Sequence, residues 1–148
     1  MKTEFYNESA PPGKQQKEEI IDFLYKHLEE FGDPREDIEK AVDYALKESD
    51  SFGGFLLVAK EEETISGAVV LNRTGMEGYI PENILVYIAT HKKRRGKGIG
   101  KHLMKETIKR TNGDVALHVE PDNPARFLYE KVGFRSKYKE MRFKSKAN

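Results

Sequence analysis

The feature that most constrains the fold is one stretch, residues 84–108, in which an apolar run passes through a basic, glycine-rich loop into an amphipathic segment. Its first seven residues, Ile84–Thr90, are uncharged and rich in β-branched and aromatic side chains, as in a strand buried on both faces. After the loop, four side chains recur at helical spacing: Leu103, Met104, Thr107 and Ile108. The pattern predicts a strand, a loop and a helix in direct succession.

The loop between strand and helix has the composition of an anion site. Six cations and no acid lie between Lys92 and Lys101, with Gly96, Gly98 and Gly100 among them. A helix N-terminus offers unpaired backbone N–H groups and the positive end of the helix dipole. The stretch therefore predicts a phosphate-binding loop.

Two common phosphate-loop patterns do not fit it. The dinucleotide pattern G-x-G-x-x-G fails because Lys101 takes the place of its third glycine, and the P-loop pattern fails at Arg95 and His102. The loop does resemble Q/R-x-x-G-x-G/A, the acetyl-CoA loop of the GCN5-related N-acetyltransferase (GNAT) family, over Arg95–Gly100. A solvated basic loop with turn glycines is the alternative reading of this short pattern.

A second stretch resembles another signature of the same family. It is an asparagine followed by a short helix that carries a tyrosine and ends at Gly-Phe, here Asn123, Tyr129 and Gly133-Phe134. The two signatures occur in the expected order over roughly the last 60 residues. Together they identify the chain as a member of the GNAT family.

The resemblance implies a fold and a cofactor site. It predicts one α+β domain over residues 1–148, with a mixed, twisted sheet, helices on both faces, and splayed strands at Ile84–Thr90 and Val115–Val119. The pantetheine arm of acetyl-CoA would enter the gap and pair with the backbone of Ile88, Ala89 and Thr90, and Asn123 would contact it or cap the following helix. The pyrophosphate would rest on amides of the loop residues Arg95, Gly96, Lys97, Gly98, Ile99 and Gly100.

The implied chemistry is transfer of an acetyl group from acetyl-CoA to a primary amine by direct attack, with backbone N–H groups of the central strand stabilising the oxyanion. Tyr129 is at the family's position for a proton donor to the departing sulfur; a core tyrosine is the alternative. His118 is where similar ribosomal-protein alanine acetyltransferases carry a glutamate, so it is the candidate base. Other assignments remain open. His118 could be a structural residue, packed or facing solvent; Glu120 or Glu82 could be the base instead; or a chain of water molecules could remove the proton.

Composition limits the other classes of function. Residues 1–83 hold 9 Lys/Arg and 19 Asp/Glu, a charge of −10, whereas residues 84–148 hold 17 and 6, a charge of +11. The basic half suits a polyanionic cofactor, and the acidic half a cationic acceptor. A net charge of +1 and the lack of a reader motif argue against nucleic acid.

No cysteine is present, so no thiol nucleophile or zinc finger is expected, and no metal is predicted. With no membrane-length apolar run and no signal peptide, the prediction is a cytoplasmic protein without membrane contact. A non-catalytic acyl-CoA sensor on the same fold is the runner-up function. The acceptor, a small molecule or a protein amine, and the oligomeric state, a homodimer included, stay open.

The rest of the chain gives coarser predictions. Met1–Asn7 begins an edge strand, and an amphipathic helix runs from Gln15 to Gly32. Asp33 is predicted as the N-cap of a second helix, with Glu36 completing a capping box. Four further predictions concern later elements: strands at Phe55–Ala59, Thr64–Leu71 and Phe134–Phe143, and a short helix with Asn123 at its N-cap and Pro124 at N1.

Overall fold

A computed structural model of the chain describes residues 1–146. Its strands are β1 (Lys2–Tyr6), β2 (Gly54–Glu61), β3 (Thr64–Arg73), β4 (Asn83–Thr90) and β5 (Val115–Leu117). Its helices are α1 (Lys14–His27), α2 (Arg35–Ala45), α3 (Ile99–Arg110) and α4 (Arg126–Lys131), with 3₁₀ turns at Glu29–Phe31 and Lys92–Arg94. None of the helices in this part of the chain combines the length and apolar character needed to span a bilayer.

The five strands form one sheet in the order β1-β2-β3-β4-β5. Neighbours from β1 to β4 are antiparallel, whereas β5 lies parallel to β4. The sheet is therefore mixed, and the predicted α+β fold with β1 at an edge is confirmed. The parallel pair is possible because α3 provides the long crossover that two parallel strands require.

Helices cover both faces of the sheet, as predicted. On one face α1 and α2 pack on β2–β4 around Ile20, Leu24 and Ile38. On the other face α3 and α4 pack around Leu57, Leu103 and Met104. Burial on both faces explains why β2 and β3 read as nearly continuous apolar runs, since neither face of these strands is left to solvent.

The predicted last strand is wrong. No residue from Phe134 to Lys146 pairs as a strand, and the side chains of Tyr138, Met141 and Phe143 are exposed. The sheet edge that this segment would extend is β5, which is only 3 residues long. Such a short strand offers few backbone partners, so the β propensity of the segment is not realised in this chain.

The predicted capping box of α2 is also wrong. Pro34 stands at the N-cap, and no side chain caps the helix there. The carboxylate of Asp33 instead accepts a hydrogen bond from the Tyr87 hydroxyl on β4, at 2.5 Å. A tertiary partner therefore takes the oxygen that local chemistry would aim at the helix amides.

The end of α1 is fastened to the loop that follows β4. The Nδ1 atom of His27 accepts from the Lys92 backbone N–H at 3.2 Å, and the His27 carbonyl accepts from the Arg95 guanidinium at 3.0 Å. Arg95 also forms an ion pair with Glu29 at 2.7 Å. The His27 ring is buried and stacks on His91, with centroids 4.2 Å apart. These contacts hold the loop against α1.

His27 is kept neutral by its surroundings. Burial lowers its pKa from 6.5 to about 4, and the neighbouring His91 and cationic side chains, Lys26 among them, add to the effect. A neutral imidazole can accept a hydrogen bond at Nδ1, whereas a protonated one only donates. The contact with Lys92 therefore depends on the deprotonated form.

We predict that stability falls in mildly acidic solution because of His27. Its pKa is depressed in the folded state, so between pH 6.5 and about 4 the unfolded chain binds more protons. The free energy of unfolding should therefore decrease as the pH falls through that window. In His27→Asn the decrease should be smaller, because an amide oxygen can accept from Lys92 without titrating. Denaturant titrations across the window measure both slopes, and His118→Asn, at an exposed site, is the control. Equal slopes for wild type and His27→Asn would contradict this prediction.

Candidate active site

The central strand β4 loses one of its two neighbours half-way along its length. Residues Asn83–Leu85 pair with Val115–Leu117 of β5, and no β5 pairing follows beyond Leu85. Pairing with β3 continues to Thr90, but its register shifts at Val86, which is an extra residue on β4. Such a bulge bends the strand that carries it. From Val86 to Thr90 the β5-facing backbone edge of β4 is therefore unpaired within residues 1–146.

The bulge also fixes which face each side chain of β4 occupies. Leu85 and Ile88 both pack on the α3 and α4 side, although three positions separate them. Tyr87 and Ala89 pack on the α1 and α2 side. Residues Ile88, Ala89 and Thr90, predicted to meet the pantetheine arm, thus lie on the unpaired part of the strand.

The unpaired edge leads directly into the basic loop. Gly96 and Gly98 have φ values of +83° and +82°, and a Cβ at either would meet no atom within 4 Å. These glycines are therefore required by backbone conformation rather than by tight packing. The first backbone bond of α3 runs from the His102 N–H to the Gly98 carbonyl at 3.0 Å. The amides of Ile99, Gly100 and Lys101 precede that bond and have no intrahelical acceptor.

The cations of the loop divide into two groups. Arg94 pairs with Glu61, and Arg95 pairs with Glu29 and the His27 carbonyl. The predicted cofactor residue Arg95 therefore offers only its backbone, because its guanidinium is engaged elsewhere. Four exposed lysines, by contrast, form no ion pair within the described residues: Lys92, Lys93, Lys97 and Lys101.

The first turn of α3 packs closely on β4 and α4. A Cβ at Gly100 would lie 3.1 Å from the Leu128 side chain and 3.4 Å from the Thr90 hydroxyl oxygen. A larger side chain there would push α3 away from the strand. Gly100 thus brings the amides at the helix N-terminus to the end of the unpaired edge.

Tyr129 of α4 lies in the core between α4 and the sheet. Its side chain is buried and contacts the Phe134 ring edge-on, with centroids 6.3 Å apart. Burial alone raises the pKa of Tyr129 to about 12, so the phenol keeps its proton at neutral pH. The Tyr129 hydroxyl is not among the fully buried side-chain atoms that lack a hydrogen-bond partner in residues 1–146, so it is not sealed in the core. It can donate a hydrogen bond to a ligand.

Asn123 organises the turn before α4, though not as the predicted N-cap. Its Oδ1 atom accepts from the Ala125 N–H at 2.9 Å, and its carbonyl accepts from the Arg126 N–H at 3.2 Å. The helix begins at Arg126 with Ala125 as its N-cap, and Pro124 lies in the turn. The short side chain of Asn123 satisfies the amide two residues on, which delays the helix by this turn.

The candidate bases are not gathered around one point. His118 is exposed and follows β5, which ends at Leu117 rather than at the predicted Val119. Glu120 is also exposed. Both carboxylate oxygens of Glu82 accept backbone N–H groups, from Asp114 at 2.6 Å and Gly78 at 3.0 Å, and these bonds lower its pKa. Glu82 therefore ties two loops together and is ill-suited to take up a proton.

Sequence reasoning missed two groups beside this strand. One is His27, which fixes the start of the loop. The other is the pair of Tyr87 and Asp33 on the α1 and α2 side. Tyr87 could have been noticed in the sequence, because it places a hydroxyl group within a largely apolar strand. Its partner Asp33 is identified only by the fold. No group of three or more His, Asp or Glu side chains in residues 1–146 could hold a metal ion.

Solved structures with the same fold come from several organisms. The PH1933 protein of Pyrococcus horikoshii OT3 is 25% identical, with a TM-score of 0.68 over 95% of this chain and 93% of that one. An aminoglycoside 6'-N-acetyltransferase of Acinetobacter haemolyticus is 14% identical, with a TM-score of 0.70 over 100% of both chains. A ribosomal-protein-alanine N-acetyltransferase of Brucella melitensis is 18% identical, with a TM-score of 0.64 over 97% of this chain and 99% of that one.

No curated protein sequence matches the chain significantly. Residues 52–136 do match a sequence family described as "Acetyltransferase (GNAT) domain". The matched region includes the unpaired strand, the glycine loop, α3 and the Tyr129 helix, and it spans more than half of the chain. The protein belongs to the GNAT acetyltransferase family.

Proposed function

We propose that the protein transfers the acetyl group of acetyl-CoA to a primary amine, and that the whole chain, residues 1–148, forms this one catalytic domain. The observation that carries the proposal is the unpaired edge of β4, which leads without interruption into the amides at the α3 N-terminus. Ala147 and Asn148 lie outside the described residues. The acceptor is a small molecule or a protein amine.

The exposed groups fit the parts of acetyl-CoA in order along the chain. The amide-containing pantetheine arm can add to the free strand edge at Ile88–Thr90, as peptides add to exposed sheet edges. The pyrophosphate fits the amides of Arg95–Gly100 at the positive end of the α3 dipole. The unpaired lysines Lys97 and Lys101 would neutralise its charge. A groove lined by Lys105, Lys109 and Lys131 continues this basic surface between α3 and α4.

The reaction needs few groups from the protein. Acetyl-CoA supplies an acyl carbon activated as a thioester. As the amine nitrogen bonds to that carbon, the bond from carbon to sulfur breaks, and the amine loses a proton. Backbone N–H groups on the free edge of β4 can donate to the carbonyl oxygen as its negative charge grows. Tyr129, protonated because burial raises its pKa to about 12, can donate its proton or a hydrogen bond to the departing sulfur.

The proposed route for the amine proton runs through His118. Its exposed position just after β5 favours relay through water over direct contact with the amine. Histidine is suited to this task because a neutral imidazole nitrogen can accept a proton, and histidine is the commonest general base in enzymes. Glu120 is the alternative acceptor of the proton on the same segment.

We predict that acetyl-CoA stabilises the fold, since ligand at 100 times its Kd adds ~2.7 kcal/mol. Gly98→Val should abolish this gain, because valine disfavours φ +82° and its side chain would obstruct the amides of α3. Gly78→Val is the matched control: Gly78 has φ +77°, open space around it, and a place at the opposite end of β4. Thermal unfolding with and without acetyl-CoA measures the gain. No shift for wild type at millimolar acetyl-CoA would contradict the proposed cofactor.

We predict that Tyr129→Phe lowers kcat by ~10²-fold, the lower end of general acid catalysis, because water can partly replace the hydroxyl. The ring contact with Phe134 remains, so stability and acetyl-CoA affinity should hardly change. Thiol release at saturating amine measures kcat, and Tyr138→Phe, at an exposed tyrosine, is the control. A kcat within twofold of wild type, with chemistry limiting the rate, would rule out this role. Cofactor binding without thiol release from any amine would instead indicate a sensor.

We predict that His118→Ala lowers kcat/KM and flattens its decline below neutral pH, because protonation of the imidazole would no longer limit the reaction. Acetyl-CoA affinity should be unchanged. Glu120→Gln, measured in parallel, distinguishes the two candidate bases. If the pH–rate profile of His118→Ala overlays that of wild type while Glu120→Gln changes it, Glu120 is the base.

A further inference from the structure

A tyrosine and a carboxylate meet on the α1 and α2 side of the free strand. Tyr87 follows the bulge on β4, and its ring is buried in the core beneath α1 and α2. Its hydroxyl donates to Asp33 Oδ2 at 2.5 Å, and the two residues are 54 positions apart. Burial and the charge of Asp33 raise the pKa of Tyr87, so the hydroxyl remains a donor. Asp33 itself is exposed in the connection between α1 and α2.

Local structure does not account for this use of Asp33. An aspartate before Pro34 is well placed to cap α2, and the loss of a side-chain cap destabilises a helix. Here α2 has no side-chain cap, and its N-cap residue is Pro34. The carboxylate is instead held beside β4 through Oδ2, and within residues 1–146 its Oδ1 atom accepts no hydrogen bond and is available to a further donor.

The position of the pair determines which part of an acceptor it can meet. In the proposed function the thioester lies in the plane of the sheet, along the free edge beyond Val86. Side chains stand roughly perpendicular to a sheet. The Tyr87 hydroxyl is therefore a full tyrosine side chain away from the backbone that would hold the reacting carbon. A group bound by Tyr87 and Asp33 is thus a second group of the acceptor, not the attacking amine.

The charges around the pair favour a cation. The connection between the helices and the first turn of α2 carry five exposed acids: Glu29, Glu30, Asp33, Glu36 and Asp37. Glu29 is paired with Arg95 at 2.7 Å and Asp37 with Lys40 at 3.7 Å, so the uncompensated negative charge lies on the other three acids. Arg35, the one cation in residues 29–37, is already paired with Glu18 and Asp22, each at 2.7 Å. This surface attracts a cationic ligand and repels an anionic one.

We propose that Asp33 and Tyr87 bind a second ammonium group of the acceptor, so that the preferred substrates are amines with two or more cationic groups. The inference rests on the proposed function and specifies its substrate class. An ammonium has three N–H donors. It can donate one to the free Oδ1 of Asp33 and another to a lone pair of the Tyr87 hydroxyl oxygen. Both contacts are charge-assisted, and such bonds are stronger than those between neutral groups.

The test compares two amines of equal chain length, 1,4-diaminobutane and butylamine, in the thiol-release assay with acetyl-CoA. Wild type should prefer the diamine in kcat/KM. Asp33→Asn keeps the shape but removes the charge, and should lower kcat/KM for the diamine by about 10- to 100-fold, the range expected for hydrogen bonds to charged groups. Its effect on butylamine should stay within about twofold. Tyr87→Phe should give a smaller loss with the same selectivity.

Glu36→Gln is the matched control, because Glu36 is an exposed carboxylate three positions after Asp33, in the first turn of α2, whereas the Tyr87 hydroxyl donates to Asp33. It should leave the ratio of the two kcat/KM values unchanged. Equal losses for both amines in Asp33→Asn would mean that the pair only positions the helices, and would overturn the proposal. A wild-type enzyme without preference for the diamine would overturn it as well.

Calorimetric titration of 1,4-diaminobutane into the protein with CoA separates this inference from the proposed function. Binding that Asp33→Asn weakens, without thiol release from either amine, would end the transferase proposal and keep the ammonium site. Turnover of both amines with no dependence on Asp33 would end the ammonium site and keep the transferase. Absence of both binding and turnover would overturn the two together.

Discussion

The constraint on which the site depends is that β4 has two sheet neighbours at its start and only one at its end. The extra residue at Val86 turns the strand, and β5 pairs no further than Leu85. An unpaired strand edge presents a row of backbone N–H and C=O groups with which another extended chain can pair. The free edge therefore favours any ligand that presents amide groups in an extended chain.

In the basic loop beside this edge, the arginines hold the loop in place and the lysines are left to bind a ligand. Arg94 and Arg95 hold the loop to Glu61, Glu29 and the end of α1, and the neutral imidazole of His27 accepts the Lys92 amide. Among the described residues, the loop lysines Lys92, Lys93, Lys97 and Lys101 form no ion pair. The closely spaced cations of the loop repel one another. Because Arg94 and Arg95 are paired with carboxylates, this repulsion is reduced when the loop folds.

Two tyrosines lie on opposite faces of the sheet near the gap. Tyr129 packs in the core under α3 and α4, and Tyr87 in the core under α1 and α2. A phenol is protonated at neutral pH, and burial raises the pKa of both tyrosines further, so each can act as a hydrogen-bond donor. In the proposed mechanism Tyr129 donates a proton or a hydrogen bond to the departing sulfur, whereas Tyr87, together with Asp33, binds the acceptor. In that mechanism the donor and the acceptor would meet at the gap between β4 and β5 from opposite faces of the sheet.

The sequence by itself determined the order of strand, glycine loop and helix, because an uncharged β-branched run, glycines for positive φ and a helical apolar stripe are local properties of consecutive residues. It also placed Tyr129 on a short helix. Only the tertiary structure decided the bulge at Val86, the partner of Asp33, the hydrogen bonds of Glu82, and the absence of strand pairing from Phe134 to Lys146. Each of these depends on which distant groups the fold brings within hydrogen-bonding distance. The Asp33 carboxylate has a local preference for capping α2, but it bonds to Tyr87, 54 positions away. The segment after Phe134 has residues that favour a strand, but it pairs with no strand among the described residues.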